Sequence, residues 1–430
     1  MSSPTLSSTS KTPQGVSVIE QWSFVPFDSG ASLSGQLDRI NLPAEWVPLK
    51  ETEISKNRVG QGVRGWIIPE TAPTDGSRYL YLNEQGFGIY VARTNLWPNA
   101  QMEPGIVVDI LDVRRKLHIE AISGEGELAL QIKVIARYIQ EVYSLRRSRP
   151  DIFKGVPYVL SIYLSDLISE KQIRKTQALL ALIEPSLIDS SDDPEANLSR
   201  THTDRIALIR KLQPETYPDL INDYDRSEDA HAYMSWAGVV VLFDSTSPAA
   251  PHVRRTYREL EVRTQLAWSM SYFARKWCEA SQRERRLPDR VAEELRYRIA
   301  PIVRRAVELS DASVGTRMRM ILQGLDTSSG LSAQILAAKA GLEDLESYVE
   351  FLREKQRIRY NRFVEAALFI LACIQAVPIF FQTPLINTPH RFLGLSILVA
   401  FAALAILAII RRRLDREVFT MPSPGFDSRI

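Results

Sequence analysis

The sequence predicts an α+β or α/β cytosolic domain, then a long helical stalk, then a C-terminal two-helix transmembrane hairpin. Three observations carry that expectation. Strand-like runs mix with helical spacing over residues 16–250, an apolar heptad runs from Leu331 to Leu352, and two long apolar runs follow at 363–381 and 392–410. The segments in order are a disordered tail over 1–15, the α/β domain over 16–250 and a helical layer over 251–329. An amphipathic stalk helix over 330–362, the hairpin over 363–410 and a basic cytosolic tail over 411–430 complete the chain.

The tail, "MSSPTLSSTSKTPQG", is rich in Ser, Thr and Pro and has no apolar core, so it reads as flexible and not as a signal peptide. At 430 residues the chain exceeds one typical domain, and its 45% apolar and 24% charged residues are ordinary for a globular protein. A net charge of +2 argues against nucleic acid as a partner, because releasing counterions from phosphates needs a concentrated basic face. Two cysteines, Cys278 and Cys373, make no disulfide framework and fit a reducing compartment.

Within the first domain, "YLYLNEQGFGIYVAR" predicts a hairpin turning around Gly86 and Gly88. "GIVVDILDV" reads as another strand, "GELALQIKVIARYIQEVYSLRR" as a helix, and "VPYVLSIYLSDL" as a return to strand. The acidic stretch "DSSDDPEANLSRTHTD" reads as an exposed loop, and "AGVVVLFDS" as a strand buried on both faces. From Val253 a long, highly charged helix with an aromatic side is expected, with two further helices between Asp289 and Gly324.

The two apolar runs set the membrane expectation. Phe363–Phe381 is interrupted by Glu365 and Gln375, Phe392–Ile410 only by Ser396, and a span takes about 20 residues. Arg353, Lys355, Arg357, Arg359 and Arg362 precede the first run, and Arg411, Arg412, Arg413 and Arg416 follow the second. The loop between carries Arg391 alone, so the positive-inside rule puts both termini in the cytosol.

Upstream of the first run, Leu331, Ile335, Ala338, Leu342, Leu345, Val349 and Leu352 recur at alternating steps of four and three, an a/d seam. Such a seam packs either on this chain's own helices or between copies of the chain as a self-associating stalk. Continued forward, the register meets Ile370, Val377 and Phe380, a candidate pore lining or packing seam.

No legible catalytic centre accompanies this architecture. "GQGVRG" matches GxGxxG from Gly60 to Gly65, but a polar segment precedes it and Pro69 follows, which fits a turn better than a dinucleotide fold. Five histidines are scattered without metal-binding spacing. Asp219, Asp223, Asp225, Asp229 and His231 come closest to a ligand set, although a cap-rich connector explains them as well. Asp244 ends the buried "VVVLFD" run, where α/β sheets place ligand carboxylates or simple caps. No GxSxG, P-loop or CxxC appears, so the chain is expected not to be an enzyme and no cofactor is evident.

A cytosolic α/β domain, a stalk fused to the first of two spans, a short outer loop and a basic tail together resemble the CorA-type divalent-cation transporters in topology. Where that family carries Gly-Met-Asn, this chain has Leu385, Ile386 and Asn387. The resemblance implies a homo-oligomer in the lipid bilayer that conducts ions under control of its cytosolic domain. It makes Gln382, Thr383 and Asn387 candidate pore-mouth residues and leaves a divalent cation open as cargo. The alternative expectation is a membrane-anchored cytosolic sensor or interaction module whose hairpin anchors or perturbs the bilayer.

Overall fold

Strand β1 (Val18–Asp28) lies near the middle of an eight-stranded mixed sheet, the element around which the first part of the chain is organised. The computed structural model describes residues 17–31, 33–50, 55–68, 76–98, 104–142, 158–183, 223–225, 227–235, 238–283, 289–311 and 315–381. By contact, the chain divides into two compact units, residues 1–275 with 301–339, and residues 276–300 with 340–430.

In the first unit the other strands are β2 (Val47–Pro48), β3 (Val63–Ile68), β4 (Arg78–Asn83), β5 (Phe87–Pro98), β6 (Val159–Asp166), β7 (Ala230–Ser235) and β8 (Gly238–Asp244). They are ordered β2-β3-β4-β5-β1-β6-β8-β7. Every pairing is antiparallel except β6 with β8, which run parallel. The expected hairpin is the β4–β5 pair, closed by a turn in which Gly86 has φ of 86°. A side chain there would meet the Ala31 carbonyl at 1.9 Å, so the turn admits only glycine.

The short helix α1 (Lys56–Val59) precedes β3, and α2 (Pro104–Ser123), α3 (Glu127–Val142) and α4 (Glu170–Ile183) follow later strands. Alternation sorts the sheet into two different faces. Ile19, Val25, Phe27, Leu80, Leu82, Leu160, Ile162, Leu164, Val240 and Leu242 form one apolar core with Ile110 and Leu117 of α2, Ile132 and Ile139 of α3, and Leu179 and Ile183 of α4. The opposite face carries Glu20, Trp22, Tyr79, Tyr81, Asn83, Ser161 and Tyr163, and helix α5 (Ala250–Arg283) packs across it.

Residues 105–113, expected as a strand, lie in α2. The reason is periodicity over a longer window: Ile110, Arg114, Leu117 and Ala121 are buried at steps of four, three and four, and Pro104 opens the helix where a missing N–H costs nothing. Strand β7 was hidden in a segment that reads as a polar connector.

Helices α6 (Asp289–Ser310) and α7 (Thr316–Ser329) lie where two were expected between Asp289 and Gly324, α7 running five residues further, and α8 runs unbroken over Leu331–Phe381. Gly330, at φ of 64°, ends α7 and lets α8 start at once. In the second unit, Val349 of α8 packs on Ala292 of α6 with Tyr348 and Leu352 at its edge, and Arg296 pairs with Glu346 at 3.0 Å. Leu345 is 3% exposed. Of the heptad, Leu331, Ile335, Ala338, Leu345 and Val349 are buried within the chain, and Leu342 and Leu352 are half-buried. Leu345→Asp is expected to lower the chain's own stability by about 3 kcal/mol, read by urea denaturation, through a charge placed in an apolar site.

The membrane expectation is corrected. Among the described residues no helix is long and apolar enough to cross a membrane. Glu365 and Gln375 interrupt the apolar part of α8. The second run, 392–410, and the basic tail lie outside the described residues. The two-span hairpin is thus not part of the fold described, and the CorA-like resemblance falls with it. So do the ion channel or transporter, the membrane-anchored module, the two-pass localisation, the bilayer as partner, and the pore axis from which a homo-oligomer was inferred.

Candidate functional site

The structure brings together few of the residues the sequence singled out. Gln382, Thr383 and Asn387 lie outside the described residues. Ile370 is half-buried on α8, and the side chains of Val377 and Phe380 on the same helix fall outside the described ones. Leu331, Ile335, Leu345 and Val349 are buried, and Leu342 and Leu352 half-buried, as parts of the packing stripe.

"GQGVRG" joins α1 to β3, the reverse of the strand-to-helix order that cradles phosphates. Its glycines serve packing: a Cβ on Gly60 would stand 2.4 Å from the Leu309 side chain. Asp244 caps its own turn, accepting from the Thr246 amide at 2.9 Å and the Thr246 hydroxyl at 2.8 Å. Among the described residues no group of acidic, histidine and cysteine side chains has metal-ligating geometry.

The acidic segment before β7 is a hub of internal bonds; Asp219 lies outside the described residues. Asp223 accepts the Nδ1–H of His231 at 2.5 Å and the Ala232 amide at 3.0 Å. Asp225, 3% exposed, accepts a bidentate fork from Arg317 of α7, at 2.8 Å from Nε and 2.7 Å from Nη2. The Tyr257 hydroxyl of α5 donates to the same carboxylate at 2.6 Å. Asp229 accepts from Ser247 at 2.7 Å. These carboxylates tie β7, α5 and α7 together, each accepting from at least one internal donor.

Helix α5 explains much of the local electrostatics. Thr256 to Thr264 is buried on every side although it contains Arg258, Glu259, Glu261 and Arg263. Each charge meets a partner on the polar sheet face or on a neighbouring helix. The Arg258 guanidinium lies over the Tyr79 ring at 3.8 Å and the Trp22 ring at 5.8 Å. Glu259 pairs with Arg58 at 2.6 Å and with Arg255 at 2.9 Å, and Arg254 reaches Glu20 at 3.0 Å. Glu261 accepts from the hydroxyls of Ser161 and Tyr163. Burial pushes its carboxyl up to about 8, against the opposing pull of those two hydrogen bonds.

Where α5 meets the first turn of α7 the chain leaves a cavity of about 240 Å³. It is lined mostly by apolar surface, Val253, Met318 and Ile321 contributing to it, with Arg58, Asp225, His252, Thr256, Tyr257 and the Gly315–Arg317 segment at its edge. Arg58 enters from α1, 8% exposed, donating from Nη1 to Thr256 Oγ1 at 2.6 Å and lying 3.3 Å from His252 Nε2. An arginine only donates, so His252 Nε2 accepts and the ring proton sits on Nδ1. Gly315 is the N-cap of α7 and has no side chain with which to cap it, leaving the amides of Thr316, Arg317 and Met318 without an intrahelical acceptor.

Sequence reasoning passed over Arg58, His252, Tyr257 and Arg317. Arg58 and Arg317 sit in polar stretches indistinguishable from solvated surface, and what singles them out is distance across 194 to 198 positions in one case and 92 in the other. A faint signal existed in α5, whose aromatic positions interleave with arginines at four-residue spacing, Arg254 and Arg258 among them. No protein-family model, no curated protein and no solved structure matches the chain.

Proposed function

We propose that this protein acts by binding a small ligand and not by turning one over, with the cavity between α5 and α7 as the ligand site. The observation that carries the reading is the cavity itself: about 240 Å³, open to solvent on one side and lined by side chains from α1, α5 and α7 that are already held by one another. Preorganisation of that kind lowers the ordering cost of binding.

The titratable groups around the site support binding over catalysis. Asp223, Asp225 and Asp229 are engaged by internal donors. His231 is held by Asp223, and no serine, threonine or cysteine is hydrogen-bonded to its ring among the described residues.

Three probes of matched shape test the reading: benzyl alcohol, benzylamine and benzoate, titrated into full-length protein carrying ¹³C-methyl methionine. At least one is expected to move the Met318 methyl signal saturably. Thr316→Trp, which fills the exposed mouth, should abolish the shift without lowering the melting temperature. If none of the three moves the Met318 signal, the cavity is not a ligand site and the proposal is wrong.

A further inference from the structure

We infer that the ligand of this cavity is a small, neutral, apolar molecule about the size of one substituted ring, held by burial and not by hydrogen bonds. The inference rests on the binding reading above and specifies the ligand's chemistry.

Each buried polar side chain of the lining is already bonded within the chain. Arg58 pairs with Glu259 at 2.6 Å and donates to Thr256, with His252 beside it. Thr256 in turn donates to the His252 carbonyl at 2.9 Å. Asp225 takes the Arg317 fork and the Tyr257 hydroxyl, a donation that occupies the phenol as well. A polar ligand would have to break one of these bonds or forgo those it made to water. Either loss weakens it.

Charge offers no hold in its place. Arg58 faces Glu259 at 2.6 Å and Arg317 faces Asp225 at 2.7 Å, so each cation of the lining has its own carboxylate. Neither an anion nor a cation finds an uncompensated partner in such pairs. His252 and the Gly315–Arg317 segment are exposed, so water serves the polar groups of the mouth, the first amides of α7 among them.

What the lining does offer is apolar surface. Val253 and Ile321 are 6% and 1% exposed, and the half-buried Met318 adds a flexible thioether that adapts to the shape it meets. A dry apolar cavity of about 150 Å³ takes benzene. At about 240 Å³ this one has room for a ring with a short substituent. Covering such a wall favours binding in proportion to the apolar area removed from water, and an apolar ligand gives up no hydrogen bond in doing so.

Toluene, benzyl alcohol, benzylamine and benzoate share one ring and differ in one polar group. They are titrated separately into the full chain near neutral pH, with the Met318 methyl signal as the readout. Toluene and benzyl alcohol should bind at least about tenfold tighter than either ion. Toluene should bind at least as tightly as the alcohol, and its affinity should not fall as salt rises. Thr316→Trp should abolish the toluene shift, which places the ring in this cavity.

Benzoate or benzylamine binding as tightly as toluene overturns the apolar ligand while leaving a binding cavity. Benzyl alcohol binding more tightly than toluene does the same, because its hydroxyl would then have found a partner. Silence from all four probes overturns both readings.

Discussion

Glu261→Gln is expected to remove most of the pH dependence of this protein's stability between about pH 5 and pH 8. The carboxyl titrates near 4.5 when unfolded and at about 8 when folded. Below the first value it is protonated in both states and contributes nothing. Between the two values the unfolded chain releases its proton and the folded chain holds it, so rising pH favours unfolding. Above about 8 the folded side chain ionises too, and the penalty levels off on the order of 5 kcal/mol, at roughly 1.4 kcal/mol per unit.

Glutamine has nothing to ionise; its one oxygen accepts from one of the Ser161 and Tyr163 hydroxyls and its NH2 donates to the other, as the O–H of the protonated carboxyl does. Urea midpoints measured from pH 5 to pH 9 should therefore decline for the natural chain and stay nearly level for the variant. The same slope in both proteins would assign the titration to another group.

The second large effect is expected at Asp225, where β7, α5 and α7 meet. Asp225→Ala deletes both arms of the Arg317 fork and leaves the Tyr257 hydroxyl, fully buried, with no acceptor. Breaking a buried pair costs about 3–5 kcal/mol, and the 42% exposure of the Arg317 side chain puts that part at the low end. Adding the orphaned phenol brings the loss to about 4 kcal/mol. Tyr257→Phe removes one bond and should cost about 1 kcal/mol. Urea denaturation of the two variants side by side checks both; equal losses would mean that the arginine fork contributes nothing.

The two faces of the sheet differ in how far they could be read from sequence. Apolar alternation in β6, the continuous apolar run of β8, the turn glycine of the β4–β5 hairpin and the helical steps of α3 are local, and each announces itself within a dozen residues. The opposite face is written in residues that usually mean solvent. Glu20, Arg258, Glu259 and Glu261 read as surface because a lone buried charge is prohibitively costly. They are buried because each finds a partner at a distance the sequence does not display, such as Ser161 for Glu261. The cavity shares this opacity, since Arg58 and His252 come from elements 194 positions apart. The seam of α8 was legible as a seam; whether a second chain or the same one covered it was not, because periodicity records a buried stripe and not its partner.

The position of β1 carries a consequence for how the chain is made. β1, the first strand among the described residues, ends up between β5 and β6, whose partner residues for Val18 are Pro98 and Ser165. At translation rates of about 5–20 residues per second, its second neighbour emerges on the order of ten seconds after it does. Through that interval β1, with every residue from Val18 to Asp28 destined for burial, has at best one side paired. The nascent chain thus carries an open strand edge, a template for wrong pairing that β6 closes. The yield of folded protein should for that reason be decided during synthesis more than by the equilibrium stability of the finished sheet.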